Sequence, residues 1–303
     1  MHEFDRRELL TATLAGAIAT GLHTATAAEE STLLQQPPQI PEERPRRVVD
    51  TNVSLFQWPF RRLPLSETVA LLRKLRGHGI DQAWAGSFEG LLHLDVAGVN
   101  SRLAAECRQH GSDVLVPFGT VNPVLPDWED DLRRCHEEHH MPGIRLHPNY
   151  HGYSLEDPRF ERLIQLATDR QLIVQLATAM EDQRTQHPLM HVADVDLTPL
   201  PEVIRRVPGA KLVILNHKAT GTAFSSLMKT PGVYFDMSRV NATDGVARVM
   251  RTLPAGRVVF GTHAPFLIYE SAMIKVYESD LTEAESTAIL HENAEALISW
   301  NRV

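Results

Sequence analysis

From Arg46 onward the chain alternates short β-branched runs with longer segments of helical apolar spacing. That alternation is what a parallel sheet demands, because each strand must be carried back to its starting end by a crossover helix. Strands are predicted over 48–56, 80–86, 114–120, 143–147, 172–178, 211–217, 233–238 and 257–263. Eight such units in series favour an α/β fold, a single (β/α)8 barrel of the TIM type over residues 46–303. An open doubly wound sheet uses the same alternation but should carry a phosphate-binding glycine turn. No G-x-G-x-x-G follows the first strand and no G-x-x-x-x-G-K-[ST] occurs, so nucleotide cofactors lose their usual support. Helix starts are punctuated by Ser66-Glu67 before 68–76, by Asp127 before 128–140, and by a T-x-x-E capping box at Thr282 and Glu285.

Hydrophobic residues make up 43% of the chain and charged residues 22%, enough apolar material for a sizeable core. A net charge of -8 argues against a nucleic-acid partner, which needs cations to displace counterions from phosphates. No apolar run reaches the roughly 18 to 20 residues of a membrane span. Residues 1–27 read as a twin-arginine-type signal, with Arg6-Arg7, an apolar stretch from Leu9 to Leu22 and the small-residue site Ala25-Thr26-Ala27. A periplasmic location is therefore expected, with residues 28–45, which hold Pro37, Pro38, Pro41 and Pro45, as an extended tether. Cys107 and Cys135 are too few for a disulfide scaffold; a bridge between their neighbouring helices is conceivable in an oxidising compartment. The sequence is compatible with a homo-oligomer.

Functional groups of a (β/α) barrel gather at the carboxyl ends of the strands. His147, His217 and His263 end predicted strands, while His151, His187 and His191 lie in the loops after strands four and five. All six are expected to share one cleft that takes a small-molecule substrate. Cys135, His136, His139 and His140 end a helix instead, which places them on the opposite rim as solvated surface rather than a metal site. Strand period two puts Arg145 and His147 on the same, inward side. An interior guanidinium needs an anion, and two readings stay open: a substrate carboxylate, or an ion pair with Asp50 or Asp236. The polar loop 180–187 is long enough to cover the cleft, and Trp58 and Phe60 are pocket wall or core plug.

Several segments in order, FGTVNP at 118–123, GIRLHPNYHGYSLEDPRF at 143–160, KLVILNH at 211–217, VYFDMS at 233–238 and FGTHAPF at 260–266, resemble the amidohydrolase-related family of TIM-barrel hydrolases. The resemblance spans about residues 48–297. It implies a divalent metal held by H-x-H on strand one, a His ending each of strands five and six, and an Asp ending strand eight. Here Asn52 and Ser54 stand at the two strand-one positions, Ala177 at the strand-five position, His217 is retained, and His263 replaces the Asp. Amide and hydroxyl groups hold zinc or manganese poorly, so the cofactor stays unknown.

Three functions follow. The first is a metal-independent hydrolase of a small, carboxylated ester, lactone or amide. In it His263 is the base, His217 or Arg145 stabilises the oxyanion, His147 orients substrate, and Asn52, His151, Gln175, His187 and Asp236 line the site. The second uses a shifted metal site of His147, His217 and His263, completed by His187, His191 or Glu181. The third is a non-catalytic ligand-binding barrel. Decarboxylation is a further activity that the resemblance allows.

Overall fold

The computed structural model describes residues 47–254 and 256–298, so the expected signal and tether lie outside the described residues. Eight parallel strands follow one another in sheet order: β1 Val49–Leu55, β2 Gln82–Ser87, β3 Leu115–Thr120, β4 Gly143–Leu146, β5 Ile173–Ala177, β6 Leu212–Leu215, β7 Val233–Asp236 and β8 Val258–Val259. Helices follow the strands: α1 Thr68–Gly77, α2 Val96–Gly111, α3 Trp128–Glu137, α4 Pro148–His151, α5 Pro158–Asp169, α6 Leu200–Arg206, α7 Gly221–Leu227, α8 Gly245–Thr252, α9 Tyr269–Tyr277, α10 Glu283–Thr287 and α11 Asn293–Ile298. The expected single (β/α)8 barrel is the observed architecture.

β8 is far shorter than the predicted 257–263, and the barrel closes by other means. Phe260 O accepts from Thr51 N at 2.9 Å and from Thr51 Oγ1 at 2.8 Å, and Ala264 O accepts from Ser54 N at 2.9 Å. The final helix supplies the rest. Its capping box at Thr282 and Glu285 forms as predicted, but a π-helical turn at Ala288–Glu292 separates α10 from α11. There Ile289 O accepts from Phe260 N at 3.0 Å, and Asn293 donates from its side chain to Val258 O at 2.8 Å. The π turn thus anchors the segment that ladder pairing leaves loose.

Two apolar layers hold the sheet. An outer one joins the helices to the outward residues of the strands and includes Val53, Leu55, Phe160 and Phe235. An inner one fills the amino-terminal end of the barrel with Val49, Trp84, Phe118, Ile173, Val213 and Val259, Trp84 stacking on Phe118 at 4.8 Å. The register of β1 against β2 shifts between Asp50 and Val53. This bulge changes which side of β1 looks inward, so Val49 belongs to the inner layer whereas Asn52 and Ser54 face the interior higher up.

Cys107 on α2 and Cys135 on α3 are both buried, free thiols. Burial pushes the Cys107 thiol up to about 12 and the Cys135 thiol upward as well, which leaves both unreactive rather than bridged. Of the neighbouring imidazoles, His136 and His140 are exposed, and His139 lies 3.4 Å from Ser101 Oγ.

Candidate active site

Above the inner apolar layer lies a layer of polar side chains, and Arg145 is its centre. Only 2% exposed, its guanidinium donates to Gln175 Oε1 at 2.8 Å, Val53 O at 2.8 Å, Ser54 Oγ at 3.2 Å and Trp84 O at 3.0 Å. Gln175 in turn donates to Thr51 O at 2.7 Å. Gly86 makes room, since a Cβ there would lie 2.8 to 2.9 Å from the Arg145 side chain. Both sequence expectations for Arg145 are thereby corrected. It makes no direct ion pair with Asp50 or Asp236 and feels them only at a distance, and four of its five N–H donors are spent on the barrel wall rather than offered to a substrate or oxyanion. Desolvation lowers it to about 10, so it stays a cation at neutral pH.

Asp236 binds the second cluster. Its Oδ2 accepts from Asn52 Nδ2 at 2.6 Å and its Oδ1 from Asn216 N at 2.9 Å; Asn52 Nδ2 also donates to Asn216 Oδ1 at 2.8 Å. Burial nevertheless pushes the Asp236 carboxyl up to about 6. Asp50 accepts from Thr262 N and Oγ1 and from Asn52 N, and burial raises it too.

His147 and His263 end up inside, 2% and 3% exposed. His263 Nε2 lies 2.6 Å from Met180 O, and a carbonyl only accepts, so the proton is on Nε2 and Nδ1 carries the lone pair. That Nδ1 is buried without a partner, as are both ring nitrogens of His147 and the indole nitrogen of Trp58. His263 stacks on Phe266 at 4.9 Å, which packs edge-on against Trp58 at 4.8 Å and Phe88 at 5.4 Å. Trp58 is a buried plug that backs the Phe266 ring stacked on His263. Desolvation first, then Arg239, Arg145 and Lys275, hold the His263 imidazole down at about 3; desolvation, then His151, Arg145 and His263, hold His147 well below its ordinary value. The expectation of an unperturbed imidazole base is corrected accordingly.

The third strand-end histidine goes elsewhere. β6 stops at Leu215, and Asn216 takes φ 61°, which turns its side-chain amide inward onto Asn52 and Ala179 O and its backbone N–H onto Asp236. His217 is swung out of the barrel, its ring stacked on Phe224 of α7 at 5.7 Å and its Nδ1 accepting from Ala219 N at 2.9 Å. The expected convergence of His147, His217 and His263 is therefore corrected to a pair, and Asn216, which the sequence argument passed over, fills the interior place.

His151, at the end of α4, lies 2.8 Å by its Nε2 from Gly90 O, and its Nδ1 is buried without a partner. His187 is exposed, its Nδ1 accepting from Leu189 N, and His191 is exposed; no helix brings the two together. The loop does reach the mouth through Met180 O on His263 and through buried Glu181, which is paired with Arg61. Among the described residues no group of three or more His, Cys, Asp and Glu can hold a metal ion, which corrects the shifted-metal alternative. The strand-one positions fit no metal either: Asn52 turns its amide donors inward and Ser54 Oγ faces a guanidinium.

One residue missed in the sequence stands out. Arg239, three residues past the end of β7, has a side chain only 12% exposed and, among the described residues, no hydrogen-bond acceptor; Asp182 Oδ2 lies 4.0 Å away. The carboxyl-end rule that ranked the histidines would have found it.

With a folded value near 3 against an ordinary 6.5, His263 stays neutral where the unfolded chain takes up a proton. Its contribution to stability is complete above pH 6.5 and is lost as pH falls toward 3, at about 1.4 kcal/mol per pH unit. His147 acts in the same direction. Asp236 opposes them between about 6 and 4, because its raised carboxyl favours the folded state once protonated. The raised carboxyls of Asp50 and Asp131 oppose them too, and the lowered imidazoles of His139, His151 and His217 join them, so five imidazoles stand against three carboxyls and urea denaturation should show stability declining below pH 6; a flat or rising profile contradicts these burials.

A family model described as Amidohydrolase matches residues 61–300. The chain belongs to the amidohydrolase family. No curated protein matches it. Among solved structures, this amidohydrolase barrel is similar to a 2,6-dihydroxybenzoate decarboxylase from Rhizobium (12% identity, TM-score 0.64, covering 84% of this chain and 99% of that one). It is also similar to a 5-carboxyvanillate decarboxylase from Novosphingobium aromaticivorans, complexed with manganese and a nitrobenzoic acid (14%, 0.67, 85% and 97%). A third is an IDCase from Metarhizium anisopliae in apo form (14%, 0.62, 84% and 97%). At such identities the likeness is one of fold.

Proposed function

We propose that this member of the amidohydrolase family hydrolyses small carboxylated esters, lactones or amides without a metal, with His263 as the general base. The observation that carries this reading is the His263 ring itself: Met180 O fixes the proton on Nε2, leaving a buried lone pair on Nδ1 with nothing to accept from. Arg239 supports the carboxylate preference, being a nearly buried guanidinium whose charge is felt by that ring and which has no hydrogen-bonded anion of its own among the described residues. Burial is the larger cause of the depressed His263 value, and a bound carboxylate would offset the positive charges that add to it, so the substrate itself raises the basicity of its catalyst.

In the proposed cycle Nδ1 takes a proton from water as the water oxygen bonds to the acyl carbon. The N–H of neutral His147, which has no partner in the fold, donates to the developing oxyanion. Collapse breaks the acyl bond, and the proton on His263 leaves with the alcohol or amine. His217 takes no part, and Arg145 contributes charge rather than hydrogen bonds.

The test is a panel of carboxylated esters, lactones and amides, each paired with its neutral analogue and assayed with EDTA present. Turnover should persist in EDTA and favour the carboxylated member. Arg239→Gln should raise KM for that member by about 10- to 100-fold, the worth of a charge-assisted hydrogen bond, and leave the neutral analogue little changed. Loss of activity in EDTA, or an equal effect of Arg239→Gln on both analogues, defeats the reading. The ring of Phe266 against His263, backed by Trp58 and Phe88, favours a second reading, decarboxylation of an aromatic acid, which the same panel separates by release of carbon dioxide. Binding without turnover of either kind would leave a ligand-binding barrel.

A further inference from the structure

We infer that Arg145 is the resident cation of this barrel: its guanidinium stands within reach of the strand-one positions that a divalent ion would need and keeps such an ion out. This deepens the metal-independent reading above and rests on it only for its relevance to the reaction.

Three observations point the same way. Ser54, at the second of the two strand-one positions, presents its Oγ at 3.2 Å to Arg145 Nη1. An ion bound to that oxygen at the usual distance of about 2 Å would lie at most about 5 Å from a permanent, desolvated positive charge. The guanidinium is also built in rather than trapped, since four acceptors from β1, β2 and β5 hold it, and β2 carries a glycine at the one place where a side chain would collide with it. Finally, the buried carboxylates that would compensate a metal are already committed. Asp50 takes three hydrogen bonds from Thr262 and Asn52, Asp236 takes bonds from Asn52 and Asn216, and both feel the charge of Arg145. Restoring imidazoles on β1 alone should therefore fail to restore a metal site.

The full-length chain is incubated with ZnCl2 or CoCl2, desalted, and read by metal analysis and by the visible absorption of cobalt. Wild type and Asn52→His/Ser54→His should retain less than a tenth of an equivalent and show no cobalt band. The triple variant Asn52→His/Ser54→His/Arg145→Gln should retain about one equivalent. A full equivalent in the double variant, or none in a triple variant whose circular dichroism matches wild type, overturns the role of Arg145. A full equivalent in wild type overturns it together with the metal-independent reading. If the triple variant does not fold, the other two arms decide: metal in either overturns the inference and metal in neither upholds it. Uptake is read without turnover, so an inactive substrate panel defeats only the proposed reaction.

Discussion

Replacing His263 by Gln is expected to lower turnover by about 100- to 10,000-fold, the range in which a positioned general base contributes, while leaving the fold intact. Gln is the informative replacement because its amide can still donate to Met180 O, so the loop stays tied to the barrel mouth while the basic lone pair is lost. The bond at stake is the 2.6 Å contact between Nε2 and Met180 O. A merely structural histidine would give the opposite pattern, with altered stability and unchanged turnover. The pH profile adds a second check. The free protein holds this imidazole near 3, so in the unliganded protein the base limb should lie well below neutrality, and it should move upward when a carboxylate is bound. A Gln variant as active as wild type, with the same profile, removes His263 from the chemistry.

The barrel was legible in the sequence because eight alternating units leave few other ways to bury so many apolar faces. Site residues were legible only as far as strand period could be extrapolated. Arg145, His147, Gln175 and Asp236 point inward as alternation requires, because β4, β5 and β7 are regular up to those residues or up to the one before. Extrapolation broke at β6. There the left-handed backbone of Asn216 reverses the alternation and exchanges the places of Asn216 and His217, and no local sequence signal beyond the Asn itself, a residue tolerant of that conformation, announces it. His263 reached the interior by a similar irregularity, φ 58° beyond a two-residue β8, so its inward position owed nothing to strand period. Charge neighbours were harder still. That Arg145 would be satisfied by backbone carbonyls and a glutamine depends on the β1 bulge and on Gly86, which only the folded chain brings together.

Arg145→Met should destabilise the folded state by about 3 to 5 kcal/mol, the cost of removing one member from a buried charged network. The apolar stem of Met fits the track over Gly86, so the loss should come from electrostatics and unmet acceptors rather than from a void. Val53 O, Trp84 O and Gln175 Oε1 would each lose the donor they now face, and Asp50 and Asp236 would lose the cation that tempers their burial. Both carboxyls would then hold their protons to higher pH, and the deficit of the variant should shrink on acidification through the range near 6 where Asp236 already titrates. Urea denaturation at pH 7.5 and at pH 5 reads both effects. A deficit under about 1 kcal/mol at pH 7.5, the size expected of an ordinary surface change, would mean that the barrel does not depend on its internal cation.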